Sequence, residues 1–154
     1  MKKIVFLLII LLFLLTINPT FVGAVTFLQN PVTINNYPFD GFHTHEQVNE
    51  KIDLYAAAYP QIAKKYFIGT SHQGKQIYAL KISDNVSEKE AEIRLALLGN
   101  QHAREFMGTE ASIYFIHYLL TNYNSNQEVK NLVDQSEIFI IPTNNPDGRT
   151  VVEK

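Results

Sequence analysis

The chain has 154 residues, of which 46% are hydrophobic and 18% charged, and a net charge of −2. That length admits one ordinary domain or part of a larger one, and the composition excludes a chain disordered throughout. With no cysteine, it can form no disulfide, and any metal it binds must be held by His, Asp or Glu.

The N-terminus has three parts. Met1-Lys2-Lys3 is basic, Ile4 to Leu15 is unbroken aliphatic and Phe, and Val22-Gly23-Ala24 offers small residues after the break at Asn18-Pro19. This is the form of a secretory signal peptide over residues 1–24, which places the protein outside the cell. The other reading is a retained membrane anchor, but the apolar run of about 12 residues is short of the roughly 20 that span a bilayer. Contact with a membrane is therefore expected only through this segment, if it stays uncleaved. Cleavage after Ala24 would remove Lys2 and Lys3 and no acid, moving the net charge from −2 to −4. No basic stripe interleaved with aromatics is present, which argues against a nucleic-acid partner.

Residues 25–41 read as an approach segment, broken by Pro31, Asn35-Asn36 and Pro38. A first helix is predicted from Thr44 to Ala58, with Thr44 and Gln47 at capping-box spacing and Val48, Ile52 and Tyr55 on one stripe. Tyr59-Pro60 ends it. Tyr66–Ser71 and Gln76–Ser83 read as an antiparallel hairpin around Gln73-Gly74-Lys75, with Tyr78, Leu80 and Ile82 on one face. Asp84 to Glu92 reads as a charged surface loop, containing the glycosylation sequon Asn85-Val86-Ser87.

Ile93 to Leu98 reads as a buried central strand, and Thr109 to Tyr123 as a heavily buried helix carrying Ile113, Tyr114, Ile116, Leu119 and Leu120. Glu128 to Val133 is a short helix candidate. Ser136 to Pro142 is a second buried strand, ended by turn chemistry in Asn145-Pro146-Asp147-Gly148. The order predicts an α/β fold: a mixed, mostly parallel sheet with flanking helices. The two buried strands, joined through a helix, should be parallel with a right-handed crossover. Ligands of such sheets gather outside the carboxyl ends of strands. His102–Glu105 and Asn145–Gly148 both follow strand ends, so both are expected on one rim.

His102-Ala103-Arg104-Glu105 lies between the strand ending at Leu98 and the following helix. An imidazole and a carboxylate three residues apart can reach one zinc ion, and two histidines with one glutamate form a known catalytic set. Zinc so held lowers the pKa of bound water and polarises a carbonyl. Taken alone the pair is weak evidence, since most such pairs are solvated surface groups.

Its context is more specific. Leu98-Gly99-Asn100-Gln101-His102-Ala103-Arg104-Glu105 resembles the first zinc motif of the carboxypeptidase A-like zinc metallocarboxypeptidases. Further likenesses follow in order: Phe42-His43-Thr44, Ile68-Gly69-Thr70-Ser71 with Gly74-Lys75, Ile77 to Ile82, and Asn145-Pro146-Asp147-Gly148. The resemblance makes 42–154 the N-terminal part of a catalytic domain, truncated before its second half. It implies His102 and Glu105 as zinc ligands, Arg104 as a contact to the peptide substrate, and Asn145–Gly148 as a structural turn.

In that family the third zinc ligand, the general base, a substrate-adjacent Tyr and the arginines that hold the oxyanion and terminal carboxylate lie further downstream. No catalytic residue is therefore assigned here. His43 and His45 read as surface or capping-region histidines, His72 as solvated, and His117 as a core or boundary histidine. The expected function is a secreted zinc metallocarboxypeptidase that removes C-terminal residues from peptides. An alternative is a catalytically inactive truncated remnant that at most binds zinc or a partner. A related hydrolase of acylated amino acids is a third, which the Ala103-Arg104 pair disfavours.

Overall fold

A computed structural model describes residues 41–153 of the chain; the expected signal peptide (1–24) and nearly all of the approach segment (25–41) lie outside the described residues. Helix α1 spans His45–Ala58 and is capped by Thr44, whose side chain and that of Gln47 bond each other's backbone N–H. Its Val48, Ile52 and Tyr55 are buried, as their spacing requires. Strands β1 (Ala63–Thr70) and β2 (Gln76–Ile82) form the antiparallel hairpin. Gly74 sits at its turn with φ +81°, where a side chain would be strained.

β3 (Ile93–Leu98), α2 (Phe106–Asn122), α3 (Gln127–Val133) and β4 (Ser136–Ile141) follow. α2 starts three residues earlier than predicted, so His102–Glu105 runs directly into the helix. The Asn145-Pro146 turn is the start of a last helix, α4 (Pro146–Val152), with Asn145 as its side-chain cap and Pro at the first position. Asn followed by Pro suits a helix N-terminus as well as a turn, because the first helical N–H needs no partner within the helix.

The four strands form one mixed sheet in the order β1-β2-β4-β3. β3 and β4 are parallel, as expected of strands joined through a helix. The other two pairings are antiparallel, so the expected parallel majority is not met among the described strands: only one connection is a crossover.

Of the two apolar strands expected to be buried, only one is. β4 lies inside the sheet and is buried along nearly its whole length, whereas β3 is the edge strand and all six of its residues are exposed. A run of apolar residues records that a strand can be buried, but not which neighbours the topology supplies.

The core fills one face of the sheet. Leu80 and Ile82 of β2 and Ile138 and Ile140 of β4 pack with Ile52, Ile113 and other helical residues. Tyr114 on α2, expected in the core, is instead 53% exposed. The opposite face carries Tyr66, Lys81, Phe139, Glu137 and Arg94, as the strand registers require.

Candidate metal centre

The loop 99–105 is fixed from below before any ligand is considered. Gly99 donates its N–H to Ile141 O and accepts from Asn144 N, which zips the ends of β3 and β4 together. A Cβ at Gly99 would lie 2.5 Å from Pro142 O and 2.7 Å from Gly108 O, so only glycine lets β4 and the start of α2 approach this closely. Asn100 takes φ +50° and is 2% exposed; its amide donates to the carbonyls of His102 (3.0 Å) and Ala103 (3.3 Å).

The second strand end closes the rim. Asn145 donates through Nδ2 to Gln101 O (3.1 Å) and through its backbone N to Asn100 O (3.2 Å). Its Oδ1 accepts from Gly148 N (2.9 Å). Gly148 lies against Ala103, and a Cβ there would meet it at 3.0 Å. The expected shared rim of 102–105 and 145–148 is therefore present.

On this platform His102 and Glu105 turn toward each other. His102 Nδ1 and Glu105 Oε1 are 2.7 Å apart, and the other carboxylate oxygen accepts from His102 N at 3.2 Å. Both side chains are open to solvent. Glu105 is the N-cap residue of α2, yet its side chain makes no capping bond, so the carboxylate is committed to the loop. Hydrogen bonds from His102 hold the Glu105 carboxyl below its usual range.

The pair suits zinc. Two ligand atoms of a tetrahedral ion bound at about 2.0–2.2 Å stand about 3.3–3.5 Å apart, so the contact need open by less than an ångström. Arg104, between them in sequence, is exposed.

Among the described residues, no third His, Asp or Glu converges on this pair; the one group of three such side chains lies elsewhere, at Asp84, Glu90 and Glu92. His43 and His45 are buried rather than on the surface. His43 is bonded to Glu110 on α2 (Nδ1 to Oε2, 2.6 Å), and His45 to Asn49. His72 is exposed, and His117 half-buried, as expected. Sequence reasoning gave Asn145–Gly148 a structural role as a turn and Asn100 only a place in the motif, without the bonds that Asn100, Asn145 and Asp147 make. Asp147 accepts from Ser71 Oγ (2.7 Å) and Gln73 N (3.0 Å), which ties the β1–β2 turn to α4. Their only sequence signal was membership of the two loops.

The architecture recurs in solved structures of low identity, which establishes the fold. The crystal structure of thrombin activatable fibrinolysis inhibitor superposes with a TM-score of 0.67 at 24% identity, over 73% of this chain and 28% of that one. Carboxypeptidase A from Helicoverpa armigera gives a TM-score of 0.66 at 24% identity, over 77% of this chain and 29% of that one.

A family model described as zinc carboxypeptidase matches residues 48–154, and the chain belongs to that family. A zinc carboxypeptidase of Saccharothrix mutabilis subsp. capreolus is 33% identical over 128 residues, 82% of this chain and 30% of the relative. Carboxypeptidase D of Homo sapiens is 36% identical over 110 residues, 70% of this chain and 8% of the relative. The chain thus spans less than a third of the length of either relative.

Proposed function

We propose that the chain is the metal-binding N-terminal portion of a secreted metallocarboxypeptidase that hydrolyses the C-terminal residues of peptides. In this reading His102 and Glu105 are two of the three protein ligands of zinc. The observation that carries it is the 2.7 Å convergence of His102 Nδ1 and Glu105 Oε1 at the carboxyl end of β3. Bound zinc would supply Lewis acidity toward a peptide carbonyl and acidify a water molecule.

The chain's own residues prepare that site. Asn100 and Asn145 hold the loop carbonyls, so the two ligands are fixed by their backbone before an ion arrives. Such outer partners usually matter 10–100-fold for metal affinity. Arg104 is proposed to meet the peptide upstream of the scissile bond, with its exposed guanidinium available to a substrate carbonyl. The third ligand and the general base are proposed to come from the remainder of a longer protein, as the coverage of the relatives suggests. Secretion is proposed from the signal-like segment 1–24.

The test uses the full-length protein. Zinc content and peptidase activity are measured for the wild type, His102→Ala and Glu105→Gln, on peptides and on acylated amino acids. Both variants should lose stoichiometric zinc and nearly all activity while remaining folded. Full zinc content and activity in either variant would sink the ligand assignment. Turnover of acylated amino acids in preference to peptides would sink the substrate class.

A further inference from the structure

The segment between β2 and β3 is the exposed charged loop its composition suggests, with five of the nine residues 84–92 exposed, but it is also bonded to the sheet. It folds over the sheet face opposite the core: Lys81 Nζ donates to Glu88 O (2.5 Å), Tyr66 Oη to Val86 O (3.4 Å), and Glu90 N to Glu137 (3.4 Å). Val86, within the segment, is 4% exposed.

Three carboxylates of this segment, Asp84, Glu90 and Glu92, bring one oxygen each within 4.8 Å of the others. Asn85 bonds both Asp84 oxygens and Glu90 Oε1. Glu90 Oε2 and Glu92 Oε2 are shut off from solvent and have no hydrogen-bond partner. Buried acceptors left this way are costly unless something positive meets them.

A further unpartnered polar atom lies next to Asp84 in sequence. Ser83 is fully buried, and its Oγ has no partner. Its backbone N–H bonds Ile62 O, which carries the β1–β2 ladder one step beyond Ile82. The β2–β4 register, extended by the same step, sets Ser83 opposite Glu137. The alternation of the strand then puts its hydroxyl on the Lys81 face, which the segment 84–92 covers.

We propose that Ser83 Oγ and the carboxylates of Asp84, Glu90 and Glu92 form a calcium site that pins the 84–92 segment to the sheet. The donors are all hard oxygens, with no imidazole among them, which favours calcium over a transition metal. A span of about 4.8 Å is two calcium–oxygen bonds placed end to end. The charges agree as well. Glu137 is held by Lys81 (2.7 Å) and Arg94 (2.5 Å). Four carboxylates against these two cations leave two negative charges for one divalent ion. Burial, then the neighbouring Glu90, Asp84 and Glu137, push the Glu92 carboxyl up, with Lys81 opposing them. The site is independent of the zinc reading, since it shares no residue with His102 or Glu105.

The experiment is calcium titration of the full-length, zinc-loaded protein, by calorimetry and by thermal melting, with zinc content followed throughout. One calcium should bind with Kd on the order of 10⁻⁵–10⁻³ M, raising Tm and leaving zinc in place. Magnesium at equal concentration should do much less. Glu92→Gln should weaken calcium binding at least about tenfold, and Ser83→Ala should weaken it by a smaller factor. Without calcium, Glu92→Gln should melt no lower than the wild type, because it relieves repulsion. Absence of binding at 10 mM calcium, an equal response to magnesium, or unchanged affinity in Glu92→Gln would each overturn the proposal.

Discussion

Glu110 holds His43 at two points across 67 residues of sequence: its Oε1 accepts the backbone N–H at 2.8 Å, and its Oε2 meets ring Nδ1 at 2.6 Å. Both residues are buried. Arg149 of α4 donates to His43 O, and its guanidinium lies 4.1 Å from the ring of Phe106, the residue after Glu105. The entry to α1, the start of α2 and the helix α4 are therefore locked together beside the 99–105 loop.

Glu110→Ala leaves a buried N–H and a ring nitrogen without this acceptor. The expected loss is about 2–4 kcal/mol of stability, with a smaller loss for Glu110→Gln, which keeps one acceptor oxygen. Urea denaturation of the full-length protein reads both values. Equal stability of Glu110→Ala and wild type would show that the network is only decorative.

Gly99→Ala tests the close approach under the zinc motif. The added methyl meets two backbone carbonyls, neither of which can swing away as a side-chain end would. A loss of about 1–3 kcal/mol is expected. Because Gly99 spaces β3 from α2, zinc affinity should fall as well. Competition with a chromogenic chelator measures that second effect.

Asp147→Ala should release the hairpin rather than unfold the domain. Its carboxylate, held below the usual range by the Ser71 hydroxyl, anchors residues 71–73. Hydrogen exchange at Gln73 should accelerate several-fold in the variant, with little change in the core of β4. Unchanged protection at Gln73 would show the turn to be held by other bonds.

Stability should fall as the solution is acidified below neutrality. Burial holds both His45 and His117 below the ordinary histidine pKa, with Lys75 adding to the effect at His45 and Lys51 at His117; Glu46 and Glu153 oppose it at His45. The unfolded chain therefore binds protons that the folded one refuses. This contribution is fully present above about pH 6.5 and is lost as pH drops through the lowered folded-state values. Denaturation midpoints between pH 8 and pH 5 should decline in the wild type and decline less in His117→Gln. Parallel curves for the two proteins would remove His117 from the account.

The local chemistry of the chain decided its elements. The capping box of α1, the Gly74 turn and the bounds of β3 follow from interactions between residues only a few positions apart, so they are legible in a linear string. The His102–Glu105 pair was legible for the same reason, since its spacing and flanking strand are local. What the string could not carry was neighbourhood. Insertion of β4 between β2 and β3 buries Ile138 and Ile140 and leaves Leu95 and Leu97 exposed at the edge, although the exposed run is no less apolar than the buried one. The burial of His43 against Glu110, the support of the 99–105 loop by Asn145, and the bonds from the 84–92 segment to Lys81 and Glu137 likewise depend on strand order and register. Those are set by packing between segments far apart in the chain, where no periodicity or turn signal reaches.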